Sequence, residues 1–148
     1  MAQDDFNRMV AKFTEIPGRI SAKTSSEFET QFRDLLDKKE AKEKNIVYLW
    51  LADRPIPRLK GESRVIYIGK TINSMRDRHY GWAKIESEGN NWLRYNFIIT
   101  NFGPITFMVT PCTTFASNPA FAEIELFKGY FESHLEAPPL NRQISFGY

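Results

Sequence analysis

The chain of 148 residues contains one cysteine and two histidines, and it has no long apolar run. Each scarcity removes a class of protein. Cys112 alone cannot close an internal disulfide, and within its apolar stretch it reads as a small buried hydrophobe in a reducing compartment. One cysteine with His79 and His134, far apart in sequence, does not build a zinc cage of the usual spacing. No stretch approaches the roughly 18 apolar residues that mark a membrane span. The start "MAQDDFNRMV" lacks the apolar core of a signal peptide, so a cytoplasmic protein with no membrane partner is expected. There is no internal repeat or low-complexity tract, and no nucleophile elbow on which a serine triad would stand.

What is present reads as a soluble globular domain: 42% hydrophobic, 14% aromatic and 26% charged. A chain of this length is expected to bury about two-thirds of its extended surface, so it needs no metal or disulfide staple. The net charge of +2 is unevenly spread. Residues 1–45 balance nine basic against nine acidic residues, while residues 54–84 set eight basic residues against Glu62 and Asp77 alone. Residues 85–148 carry three basic and six acidic residues. A basic middle beside an acidic tail suits a polyanion on one face, or simply a solvated basic surface.

The first 44 residues read as a helical extension. In "TSSEFETQFRDLLDKKEAKEKN", Ser26 and Glu29 have capping-box spacing, and Phe28, Phe32, Leu35 and Leu36 recur at helical intervals up to an end at Asn45. "NIVYLWLA" and "RVIYIG" are compact runs of strand formers. The prolines and glycine of "DRPIPRLKGES" between them predict an irregular loop, hence an antiparallel hairpin. Because both runs are almost continuously apolar, both faces of the sheet are expected to be covered.

From Asn73 the pattern turns helical, with Met75, His79, Trp82 and Ile85 along one face, until "EGNN" breaks it. "NWLRYNFIITN" predicts a second helix and "ITFMVTPC" a third strand ended by Pro111. The final helix, in "NPAFAEIELFKGYFESHLE", has Asn118 as cap and Pro119 at its first position, with Phe121, Ile124, Phe127 and Phe131 on one side. His134, near its end, reads as solvated or favoured by the helix dipole. The expected class is α+β: a small three-stranded antiparallel sheet flanked by helices, in the order β-β-α-α-β-α after the extension. Residues 45–142 would form the core of a single domain and residues 143–148 a tail.

"GKT" at 69–71 follows a strand, as in a phosphate-binding P-loop. That loop also needs a glycine five residues before Gly69, where this chain has Arg64. The nucleotide cradle is excluded. More specific is a set of residues in one order: Tyr48 in "VYLW", Tyr67 and Lys70 in "IYIGK", Arg78 in "MRDR", Glu123 in "AEIELF" and Asn141 in "PPLN". Together they resemble the GIY-YIG nuclease superfamily over roughly residues 45–142. "YIGKT" alone would be a weak signal; the ordered set is a strong one.

The resemblance implies a Mg²⁺-dependent (or Mn²⁺-dependent) endonuclease that hydrolyses double-stranded DNA by direct water attack, of a compact restriction or phage type. It implies that Glu123 holds the metal, a role suited to a hard cation that keeps much of its water. Arg78 would grip the scissile phosphate through a planar guanidinium. Tyr48 would act as general base or orient the water, Tyr67 would position water or phosphate, and Lys70 would lower a neighbouring tyrosine's pKa. Asn141 would hold Glu123 or the local backbone. Arg54, Arg58 and Lys60 of the basic loop, with Arg76, are the candidate DNA-binding residues, and dimerisation would let a one-site protein cut both strands.

The chain departs from the family pattern in places. The first motif lacks its glycine, with Ile46-Val47-Tyr48 standing there. Trp82 occupies the position one turn after Arg78 where a histidine or tyrosine is usual, and an indole donates a hydrogen bond but exchanges no proton. Choosing Arg76 as the arginine would put Tyr80 in that place, and a shifted register would choose Glu125 over Glu123. His79 is close by in either case. Taken singly, each residue also has a plainer reading: core tyrosines, solvated arginine and glutamate, a turn asparagine. Two other functions stay open: a nucleic-acid-binding module that has lost turnover, or a plain interaction domain.

Overall fold

Alternation within the apolar run at 46–52 decides the centre of the molecule. In the computed structural model, which describes residues 2–141, Ile46, Tyr48, Trp50 and Ala52 enter one buried cluster. Val47, Leu49 and Leu51 enter a second cluster. Successive strand residues point to opposite faces, so a continuous apolar run means a strand buried on both. Arg142 and the expected tail 143–148 lie outside the described residues.

In chain order the elements are α1 (Ala2–Val10), β1 (Thr14–Glu15), α2 (Ser25–Leu36), β2 (Ile46–Pro57) and β3 (Glu62–Thr71). Then come α3 (Met75–His79), α4 (Ala83–Glu86), α5 (Gly89–Phe102), β4 (Thr106–Pro111) and α6 (Pro119–His134). The sheet is antiparallel with four strands in the order β1-β4-β2-β3, in a mixed α and β architecture. Helices α2 to α5 cover the first cluster with Phe28, Phe32, Met75, Tyr95 and Ile98. On the opposite face, α1 and α6 contribute Phe6, Ala122, Leu126, Phe127 and Tyr130 to the second. Burying each such aromatic contributes about 2–3 kcal/mol.

The expectation of three strands needs correcting. The fourth, β1, lies in the stretch read as helical, and neither Thr14 nor Glu15 is apolar or buried. Its place comes from pairing with Val109 and Met108, supported by the Ile16 amide donating to the Phe107 carbonyl at 2.8 Å. The hairpin also differs. β2 continues to Pro57, and only Arg58 to Gly61 form the turn, with Gly61 at φ +68°. Strand pairing jumps from Leu51 opposite Val65 to Ile56 opposite Ser63, so Pro55 falls in an irregularity that costs no ladder bond.

Helix α2 starts two residues earlier than the sequence spacing suggested. Thr24 is the cap, its hydroxyl accepting from the Glu27 amide at 3.1 Å, and the helix ends at Leu36 rather than Asn45. The segment after Asn73 is broken rather than continuous. Met75 and His79 are buried, while Trp82, at the end of the break at 80–82, and Ile85 after it are exposed. In α6 the cap at Asn118 and Pro119 stand as expected, but Phe121 and Phe131 are exposed. The buried face is instead Ala122, Leu126, Phe127 and Tyr130. His134 is only 1% exposed, and its Nδ1 lies 2.9 Å from the Lys60 carbonyl at the hairpin turn. It ties α6 to the β2–β3 turn rather than meeting solvent.

Candidate active site

A cleft of about 790 Å³ opens along the outer edge of β3, where elements from both faces of the sheet meet. β3 supplies Tyr67, Ile68 and Lys70; α3 supplies Arg78, and α6 supplies Glu123 and Phe127. The segment at 139–141 closes one end. Trp82, Glu86, Arg94 and Tyr95 line the α4–α5 side. Residues as distant as Tyr67 and Asn141 thus share one wall.

Local structure aims each of them. Between Trp50 opposite Tyr67 and Leu51 opposite Val65, Ile66 is one residue too many on β3, a bulge. The extra residue turns both Ile66 and Tyr67 toward the first cluster, and Tyr67 lies against Trp50 with ring centroids 4.6 Å apart. Two strand positions further, Tyr48 is paired with Gly69. The Tyr48 ring lies across the bare Gly69 backbone, so that a Cβ there would sit 2.3 Å from the Tyr48 Cζ. The glycine of "YIG" is a seat for the tyrosine ring.

Asn141 clamps the same strand. Its Oδ1 accepts from the Ile68 amide and its Nδ2 donates to the Ile68 carbonyl, both at 2.9 Å. The Leu140 amide donates to the Ile66 carbonyl at 2.9 Å. An amide side chain thus replaces a neighbouring strand and satisfies an otherwise open sheet edge. Of the two roles expected for Asn141, the backbone contact is the one observed.

Arg78 is held by Ser74, whose Oγ caps α3 by accepting from the Asp77 amide at 3.0 Å. Its guanidinium interacts with the hydroxyls of Tyr67 and Tyr48, and the phenols raise its pKa further. Arg76 is turned elsewhere, paired with Asp37 at 3.1 Å and stacked over the Tyr80 ring at 4.1 Å. Glu123 is half-buried in the second turn of α6. Burial pushes its carboxyl pKa up, and the charges of Lys70 and Arg78 partly offset that. Glu125 is exposed and outside the cleft.

Tyr48 does not line the cleft. It is fully buried, and its hydroxyl lies 2.6 Å from His79 Nε2. Burial raises the pKa of Tyr48 well above the ordinary phenol value, and nearby Tyr67 adds to that rise while Arg78 opposes it. Burial raises Tyr67 as well, to a lesser extent. A free phenolate at either position is disfavoured near neutral pH.

The candidate DNA-binding residues divide. The Arg54 guanidinium donates to the Asn101 carbonyl at 2.7 Å, and Arg58 donates to the Ala137 carbonyl and pairs with Glu136. Both act as ties between the hairpin and neighbouring segments. The Lys60 side chain is exposed at the turn. Sequence spacing did not single out Glu86, Arg94 or Tyr95 as site residues. Glu86 Oε2 accepts from the Tyr95 hydroxyl at 2.9 Å, and its Oε1 lies 3.5 Å from His79 Nδ1. Arg94 and Tyr95 lie in the run read only as the second helix, and Glu86 just before the break at "EGNN".

Among the described residues no group of three or more His, Cys, Asp or Glu side chains is placed to cage a metal. An open cleft with two carboxylates, Glu123 and Glu86, instead suits Mg²⁺, which is commonly held by one or two carboxylates with water and substrate phosphate. No helix of the described residues is long and apolar enough to cross a membrane. No protein-family model matches the chain, and no curated protein or solved structure shows a significant match.

Proposed function

We propose that the protein is a metal-dependent DNA endonuclease of the GIY-YIG type, acting on one phosphodiester at the β3-edge cleft. The observation that carries this reading is convergence. Tyr67, Lys70, Arg78, Glu123 and Asn141, drawn from four separate segments, all line one cleft of about 790 Å³. Their charges suit an anionic substrate, with Lys70 and Arg78 flanking one half-buried carboxylate.

Glu123 would hold Mg²⁺ or Mn²⁺, which when bound would neutralise phosphate charge and stabilise the departing oxygen. Arg78 donates to a non-bridging phosphate oxygen and to the charge that develops there, a contribution that grows in a water-poor cleft. Lys70 adds a second positive charge beside it. Tyr67 orients the attacking water through its hydroxyl, and Asn141 keeps β3 straight beneath it. Lys60 on the exposed turn and Arg94 on the cleft rim are exposed cations suited to flanking phosphates. Dimerisation would supply the second cut of a duplex.

A second reading has its own support. Trp82 is 60% exposed at the cleft in the place where a proton-exchanging residue is usual. A cleft with Arg78, Arg94 and an exposed indole also suits a binding module without turnover. One experiment separates them: cleavage of supercoiled and linear duplex DNA with Mg²⁺, with Mn²⁺ and with chelator, for wild type and Glu123→Ala. Metal-dependent products absent from Glu123→Ala support the nuclease. Salt-sensitive binding by both proteins without cutting leaves the binding module, and no binding leaves an interaction domain.

A further inference from the structure

One wall of the cleft differs in chemistry from the rest. Trp82 is 60% exposed and Ile85, three residues on, is 54% exposed, and both line the same cleft as Lys70, Arg78 and Glu123. Around this turn of chain Ala83 and Ser87, four apart, are buried. Trp82, Ile85 and Glu86 therefore share the face turned to the cleft. Two hydrogen bonds fasten that face to α5. The Tyr95 hydroxyl donates to Glu86 Oε2 at 2.9 Å, and Asn91 Nδ2 donates to the Ile85 carbonyl at 3.2 Å. Two large apolar side chains are thus kept in water by a braced backbone, a cost that a ligand covering them would remove.

We propose that Trp82 and Ile85 form a nucleobase subsite, which takes an unpaired base of the strand whose phosphate lies at Arg78. This rests on the phosphate-binding part of the nuclease reading and adds a substrate class to it: DNA with an unpaired nucleotide at the cut, in a single strand or an opened duplex. Every phosphodiester joins two nucleosides, so a strand held by Lys70 and Arg78 brings a base to the neighbouring wall. The face of an exposed indole stacks on any base, whatever the sequence, and Ile85 adds apolar contact beside it. Within a duplex both faces of a base are already covered, so Trp82 meets one only after it has left the stack. Charge favours this occupant over an apolar protein segment. Lys70, Arg78 and Arg94 share the cleft with Glu86 and Glu123, and the exposed Arg94 is suited to the next phosphate along the strand. The indole one turn after Arg78 selects the substrate and moves no proton.

Binding in chelator tests the subsite without any need for cleavage. The ligands are a short single-stranded DNA, the blunt duplex of the same sequence, and single strands with one base removed at successive positions. The proteins are full-length wild type, Trp82→Phe, Trp82→Leu and Trp82→Ala, surface changes whose folding circular dichroism checks. Wild type is expected to bind the single strand more tightly than the duplex. Trp82→Ala should weaken single-strand binding by about 5–150-fold, the loss of one stacked base. Trp82→Phe, which keeps an aromatic face, should lose less than Trp82→Leu. Removing one particular base should weaken wild type and leave Trp82→Ala indifferent. Equal affinities of wild type and Trp82→Ala for every strand overturn the subsite, and so does a Trp82→Leu protein that binds like wild type. If the subsite fails while Mg²⁺-dependent cutting still needs Glu123, the nuclease reading stands. If the base is stacked but nothing is cut, the subsite stands and the nuclease falls. A wild type that binds no DNA overturns both.

Discussion

Replacing Gly69 with alanine tests the seat of Tyr48 without reference to any activity. A Cβ at this position would lie 2.3 Å from Tyr48 Cζ, 2.4 Å from Cε2 and 2.6 Å from the hydroxyl oxygen. These are far inside contact distance, and the ring cannot swing clear. Tyr48 is fully buried between Trp50, Tyr67 and His79, with ring centroids 6.2, 6.2 and 5.6 Å away. Overpacking of this kind costs about 1–3 kcal/mol. Displacing the ring also breaks its 2.6 Å contact with His79, and an unmade buried hydrogen bond costs about 1–3 kcal/mol. Against these stands a gain of about 0.4–1 kcal/mol from the stiffer unfolded chain.

The net expectation for Gly69→Ala is a loss of about 1–5 kcal/mol in urea-monitored unfolding. Tyr48→Phe keeps the ring carbons in place and leaves the clash, so it does not rescue Gly69→Ala. Tyr48→Ala removes the obstruction, and the double variant is expected to be less destabilised than the sum of the singles. A Gly69→Ala protein within 0.5 kcal/mol of wild type (roughly the scatter of surface changes) would refute the reasoning. So would strict additivity with Tyr48→Ala.

Burial raises the pKa of Glu123 in the folded state, so the folded protein holds this proton more tightly than the unfolded chain. Its contribution to stability therefore declines as pH rises from the unfolded carboxyl value through the raised folded one. Glu123→Gln is expected to raise the melting temperature at pH 7 more than at pH 4 while abolishing cleavage; calorimetry showing an equal or lower value at pH 7 would contradict this. Asn141→Ala removes both 2.9 Å bonds to Ile68 and should cost about 1–3 kcal/mol. Faster amide hydrogen exchange at Ile68 is the specific sign, and unchanged exchange would deny the clamp. Arg78→Lys keeps the charge but loses the planar fork between two phenols, so cleavage should fall by about 10²-fold. Arg76→Lys, remote from the cleft, should cleave at nearly the wild-type rate, and the reverse ranking in initial-rate assays would exchange their roles.

Local pattern sufficed for much of this protein. The near-continuous apolar run at 46–51 specified a strand covered on both faces, because neighbouring side chains in a strand point oppositely. The Asn118 cap and Pro119 specified the start of α6, because both act within one turn of backbone. The order of Tyr48, Tyr67, Lys70, Arg78, Glu123 and Asn141 marked which residues to look for, and five of them line one cleft. Tertiary structure decided what no neighbour in sequence encodes. Thr14 and Glu15 became a strand only because β4 offered an open edge. Phe121 and Phe131 lie outside the α6 core because the face of α6 packed in the second cluster carries Ala122, Leu126 and Tyr130 instead. Glu86 entered the site because two short helices fold it back onto His79, and Tyr48 was withdrawn from the cleft because Gly69 leaves room for its ring. Caps and alternation are set by residues one to four apart, whereas helix packing, edge pairing and burial of a charge depend on segments the chain brings together only after it has folded.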